Sequence, residues 1–249
     1  HGIDNLVNLQ VLDLAHNAIS DVQRIDRLER LTQLDLGYNR IRTFELSRLR
    51  ITLVWLNLDH NDVADLAWLG KLRHIETLSI SHNRVRDIDP IGQLKELRSL
   101  DLKGNQIASI EPLGVVARLR ELDLSDNQIA DISPLGNLRD LITLLLDGNR
   151  IADVNALTGL GRLQELDLAR NQLSDVAPLS RLMSLRRLDI SHNRVSRPEP
   201  LERLGALDSL TIEGNPIDCE THTALESVFG EDVVIGDACG PPAGAVRVD

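Results

Sequence analysis

The chain has 249 residues, a formal net charge of −11 and 42% hydrophobic residues, most of them leucine, isoleucine and valine. That charge argues against nucleic acid, whose binding needs a basic face, and against an anionic membrane surface. No apolar run approaches the roughly 18 residues that span a bilayer, so no membrane insertion is expected.

From residue 3 onward a single unit recurs. The pattern L-x-x-L-x-L-x-x-N, as at Leu119, Leu122, Leu124 and Asn127, places its asparagine at Asn17, Asn39, Asn61, Asn83, Asn105, Asn127, Asn149, Asn171, Asn193 and Asn215. These ten copies are 22 residues apart without a slip, and aliphatics such as Ile129 and Ile132 follow two and five residues on. Leu122 and Leu124 alternate with Glu121 and Asp123, the period-2 pattern of a strand with one buried face. One such unit cannot bury its leucines alone, so the copies must stack and their short strands form a parallel sheet. The asparagine amide both donates and accepts, which suits it to backbone groups that the turn after the strand would otherwise bury unpaired. The asparagines are therefore read as a structural ladder.

In chain order, Ile3 and Leu6 fill the slots that Leu135 and Leu138 fill later, so the chain opens inside a repeat with no shielding cap. Upstream residues, a neighbouring domain or a subunit is expected over that edge. The second repeat departs from the pattern. TFELSRLRITL sets Leu46 and Leu49 one residue early, which predicts an irregularity near residues 44–52. Further on, DIDPIGQL (87–94), DISPLGNL (131–138) and DVAPLSRL (175–182) hold Pro90, Pro134 and Pro178 in one slot, shared by Pro112 and Pro200. A residue with fixed φ and no N–H suits a tight or 3₁₀ turn on the side opposite the sheet.

These features resemble the leucine-rich repeat family over residues 3 to about 218, and within it the 22-residue repeats of bacterial internalins and of the phosphatase regulatory subunit class. The resemblance implies an α/β solenoid arc, with a parallel sheet on the concave face, short turns or 3₁₀ segments on the convex face, and protein binding as its use. Internalins carry an immunoglobulin-like domain after the repeats. Here residues 1–218 are read as solenoid and 219–249 as a short cap and tail. Within the cap, Thr223 and Glu226 read as a capping box for a helix over 223–229, Gly230 as its stop, and DVVIGDAC as an extended return. Cys219 and Cys239 bracket this unit. A disulfide would close a loop of about 20 residues and place the protein outside the reducing cytosol; two reduced cysteines in a cytoplasmic protein are the alternative.

Chemistry is sparse. No metalloprotease, serine-nucleophile, phosphate-loop or dinucleotide motif is present, so neither enzyme activity nor a cofactor is expected. His16, His60, His82 and His192 share the slot before the asparagine; His60 and His82, in adjacent repeats, should lie about 5 Å apart. With Asp59 they could hold a metal, but stacked surface histidines are the commoner arrangement and no metal site is assigned. The outward mid-strand column reads Asp13, Asp35, Asn57, Ser79, Asp101, Asp123, Leu145, Asp167, Asp189 and Thr211. Its aspartates are either ordinary repeat choices or an acidic floor for a basic protein surface or calcium, partly neutralised by Arg120, Arg186 and Arg187.

Aromatics make up only 2% of the chain, yet Trp55 stands in an outward strand slot with Tyr38 one repeat back. Aromatic residues are enriched among binding hot spots. The expected partner site is the concave face around Trp55 and Tyr38, with Asp35, Asn57, Asp59, His60 and His82 about them and Leu145 as a second apolar spot. Trp68, in the proline slot, is expected to pack on the convex side. The function read from this is a non-enzymatic protein-binding scaffold, extracellular, surface-exposed or periplasmic. Two alternatives stand beside it: a targeting or regulatory domain of a larger protein, and a carbohydrate- or calcium-binding module.

Overall fold

The computed structural model describes residues 3–23, 25–44, 52–230 and 232–236. Ten three-residue strands recur at the repeat period: β1 (Val11–Asp13), β2 (Gln33–Asp35), β3 (Trp55–Asn57), β4 (Thr77–Ser79), β5 (Ser99–Asp101), β6 (Glu121–Asp123), β7 (Thr143–Leu145), β8 (Glu165–Asp167), β9 (Arg187–Asp189) and β10 (Ser209–Thr211). With β11 (Val234–Ile235) they form one parallel sheet whose spatial order is the chain order. Each strand from β1 to β9 pairs 22 residues ahead, Leu34 with Leu56 and Leu56 with Leu78, so the repeat period is also the register; β10 meets β11 24 residues ahead, Leu210 with Val234.

The middle residue of each strand from β2 to β10 is a leucine no more than 1% exposed, while its two neighbours face outward. On the convex side a 3₁₀ turn closes each repeat whose convex segment lies among the described residues. In Ser133–Asn137, Leu135 N–H donates to Ile132 and Leu138 N–H to Leu135. The aspartate ahead of the turn seeds it, since Asp131 Oδ1 accepts from Ser133 N–H at 2.8 Å and Asp87 does the same for Asp89. The five prolines sit at the first or second position of their 3₁₀ turns. Trp68 replaces proline in Ala67–Lys71 and is only 8% exposed; its ring packs against Phe44 at 4.6 Å and its N–H donates to Asp65 O. The irregularity expected through Leu46 and Leu49 falls on residues 45–51, outside the described residues.

At the start of the sheet the apolar residues lie open. Leu6 is 52% exposed, against none for Leu138 in the same slot. At the other end, α1 (Cys219–Phe229) packs on the last 3₁₀ turn and β11 adds itself to β10. The helix begins four residues before the expected 223. Asp218 is its N-cap, with a carboxylate oxygen accepting from Thr221 N–H at 2.8 Å, so the predicted box of Thr223 and Glu226 falls inside the helix. The earlier start turns His222 and Leu225, 7% and 0% exposed, toward the core. Gly230 ends the helix at φ 98°, its N–H returning to Glu226 O. Cys219 is the first helical residue; Cys239 lies outside the described residues.

Candidate functional site

The concave face is built by the residues flanking each buried leucine. Just past every strand the asparagine turns inward. Asn127 Nδ2 donates to Leu102, Leu124 and Ser125 carbonyls at 3.0 to 3.1 Å, and its Oδ1 accepts from Ile107 N–H of the preceding repeat. Asn39, Asn61, Asn83, Asn105, Asn149, Asn171, Asn193 and Asn215 likewise accept from the preceding repeat and donate back to it. Asn17, in the first repeat, donates among the described residues within its own turn, to Leu14 and Ala15.

The aspartate column has a local task that its charge alone does not reveal. Each carboxylate accepts the N–H two residues on: Asp35 from Gly37, Asp101 from Lys103, Asp123 from Ser125, Asp167 from Ala169 and Asp189 from Ser191, all at 2.8 to 2.9 Å. Asn57 does so for Asp59 at 2.8 Å. Where the column holds Ser79, Asp59 of the previous repeat supplies the missing acceptor, taking Ser81 N–H at 2.7 Å and Ser79 Oγ at 2.5 Å. Burial, outweighing those turn bonds and joined by the adjacent carboxylates, pushes Asp101 and Asp167 each up to about 6.

Of the arginines expected to neutralise this floor, Arg187 stands on it, on β9 beside Asp189, yet neither it nor Arg186 pairs with the aspartate column. They pair instead with Asp208 at 3.2 Å and Glu165 at 2.8 Å. Guanidinium groups reach acids one repeat away both within the sheet, as in Arg187–Glu165, and just ahead of the strands, as in Arg98–Glu76 at 3.1 Å.

The slot before the asparagine forms one edge of the face and has left-handed backbone in every repeat. His16, Tyr38, His60, His82, Asp126, Arg170 and His192 have φ of 51 to 56°, and Gly104, Gly148 and Gly214 of 65 to 67°. Such a backbone aims successive side chains in parallel at strand spacing. His16, Tyr38, His60 and His82 consequently stack face to face, with centroids 4.3, 4.2 and 4.3 Å apart. The stack ends over Gly104, where an added Cβ would stand 2.6 Å from His82 Nδ1. Burial and the adjacent His82 hold His60 below the usual histidine range, with His16 adding to this and Asp59 opposing. Further along, Arg170 reaches across Gly148 to Asp126 at 2.9 Å and also binds Asp147. Among the described residues no group of three or more histidine, cysteine or acidic side chains lies close enough to share a metal ion.

The predicted residues thus fall into two groups. Tyr38, His60 and His82 share one stack, with Tyr38 48% exposed. Trp55 is half-buried on β3 between Gln33 and Thr77, and Asp35 and Asn57 are neighbours in the floor column. Leu145 lies four strands beyond Trp55 on β7, at a separate depression. His16, at the start of the stack, was missing from the expected site; its place in the same slot as His60 was the available signal.

Family profiles described as leucine-rich repeat match residues 7–48, 51–107 and 88–203. No curated protein sequence matches the chain. Among solved structures, an internalin of Listeria monocytogenes superposes with a TM-score of 0.79 at 27% identity, covering 100% of this chain and 82% of its own. A leucine-rich repeat protein of Leptospira interrogans gives 0.87 at 28% identity, over 95% of this chain and 62% of its own. Internalin C2 of Listeria monocytogenes gives 0.72 at 31%, over 76% of this chain and 84% of its own. With the asparagine ladder, the open parallel sheet and the matched repeats in agreement, this chain belongs to the leucine-rich repeat family.

Proposed function

We propose that the protein is a non-enzymatic scaffold that binds a partner protein on its concave face, outside the cytoplasm or at the cell envelope. The observation that carries this reading is the aromatic edge of repeats 1–4. Trp55 is half-buried outside the leucine core, on the same concave face as a stack whose Tyr38 ring is 48% exposed. An aromatic held rigidly at a sheet face costs little further entropy when a partner covers it. The partner contacts are assigned to Trp55 and Tyr38, with Asp35, Asn57, Asp59, His60 and His82 orienting them and Leu145 as a further spot. The likeness to internalins supports the class of function. No described helix is long and apolar enough to cross a membrane.

Residues 1–218 are proposed as the binding solenoid and 219–249 as its cap, closed by a Cys219–Cys239 disulfide. Thiol titration of the unfolded, unreduced protein should find no free sulfhydryl, and two free thiols would move the protein to the cytoplasm. The function itself is tested with a photo-crosslinking residue placed at Gln33 or Thr77, beside Trp55, and at Arg181 on the convex side. Adducts with one partner protein from the concave positions only, weakened about tenfold or more by Trp55→Ala, are expected. Equal crosslinking from Arg181 would overturn the assignment.

A further inference from the structure

Repeats 5 to 9 carry a second arrangement on the concave floor, remote from Trp55. Asp101 and Asp123 are neighbours on β5 and β6, Asp167 and Asp189 on β8 and β9, and Leu145 on β7 separates the two pairs. A depression of about 210 Å³ opens over Leu145, Asp167 and Asp189, with Arg187 and its partner Glu165 also on its lining. Among the described residues no cation lies within ion-pair distance of these four carboxylates, because the nearby Arg186 and Arg187 are held by Asp208 and Glu165. The floor is thus an unpartnered sheet face with two negative patches and an aliphatic spot midway between them.

The spacing selects an occupant. Strands lie about 4.8 Å apart, so the centre of each acid pair is one and a half strands, about 7 Å, from Leu145. An extended chain advances about 6.7 Å over two residues and returns its side chains to the same face. We propose that this floor is a docking groove for an extended basic segment of a partner protein, read in the order cation, spacer, aliphatic, spacer, cation. The segment lies across the strands. Its aliphatic side chain covers Leu145, and each ammonium or guanidinium sits between two carboxylates that have no ion-pair partner among the described residues, Arg187 being engaged by Glu165. This goes beyond the aromatic-edge reading and requires only that the concave face be accessible.

Fluorescence anisotropy tests it at about 50 mM salt, where screening is weak. The probe is a fluorescein-labelled dodecapeptide with Lys-Ser-Leu-Ser-Lys at its centre; the comparison peptide has the same composition in the order Lys-Lys-Ser-Ser-Leu. The alternating peptide is expected to bind about tenfold more tightly. Leu145→Asp should erase that preference with the fold intact, because aspartate is native to this slot in six other repeats. Asp101→Asn and Asp167→Asn should each weaken the alternating peptide several-fold. Equal affinities for the two peptides, a preference that survives Leu145→Asp, or no binding of either peptide would overturn the proposal. None of these outcomes depends on a partner at Trp55.

Discussion

Replacing Asp101 with asparagine should stabilise the protein at neutral pH and do nothing in acid. Asp101 is half-buried beside Asp123 and is pushed from 3.8 up to about 6, burial being the larger cause. A carboxyl raised in the folded state contributes stability that is fully present below the unfolded value of 3.8 and is lost as pH rises through about 6. Above that the fold carries a charge it disfavours. A shift of about two units corresponds to at most about 3 kcal/mol, and solvent screening at a half-buried site reduces this to roughly 1 kcal/mol. Asparagine removes the charge and keeps the oxygen that accepts Lys103 N–H, as Asn57 does for Asp59. Urea unfolding followed by tryptophan fluorescence should show Asp101→Asn with the higher midpoint at pH 8 and the gap closing toward pH 4. An equal gap at every pH, or a loss of stability at pH 8, would refute the reasoning.

Gly104→Ala forces a side chain into left-handed backbone at φ 66° and places a Cβ 2.6 Å from His82 Nδ1, so a loss of about 1–3 kcal/mol is expected. In a His82→Ala background the clash is absent and thermal unfolding should record a smaller loss, leaving the backbone cost alone. Asn127→Ala strips four hydrogen bonds from the interior, including the acceptor of Ile107 N–H. Each stranded group costs about 1–3 kcal/mol, and amide hydrogen exchange should rise first at Ile107.

The sheet, its register and the 3₁₀ turns could be read from the repeat, because one period sets which leucines face inward and which residues pair across strands. What escaped was conformational or local. The left-handed edge is occupied by histidine, tyrosine, aspartate and arginine as well as glycine, so no single repeat announces a positive φ; only Gly104, Gly148 and Gly214 in the same column hint at it. The aspartate column read as charge, yet each carboxylate is held by the turn that follows its strand. At the cap two competing start signals lie five residues apart, Asp218 ahead of Thr221 and Thr223 ahead of Glu226. The earlier one prevails, with Asp218 capping Thr221 N–H and His222 brought against the last repeat. For Trp55 the sequence indicated the right face but not its half-burial, which depends on neighbours in adjacent strands.

The asparagine ladder also gives the molecule a direction in time. Every asparagine from Asn39 onward accepts an N–H of the repeat before it and donates to a carbonyl there, as Asn215 does for Val195 and Ile190. A repeat emerging from the ribosome therefore cannot finish its own turn; the one synthesised next must finish it. Within the series the newest repeat holds one open N–H, waiting for an amide 20 residues downstream, whereas after Asn215 the matching Ile217 N–H donates to Asn215 O. At the end of the series no further asparagine follows Asn215 at the repeat spacing, and the sheet continues through β11 instead, whose pairing with β10 takes in Leu210 and Thr211. Order in this chain is handed backward, so a pause in synthesis leaves the newest repeat unfinished and every earlier one complete.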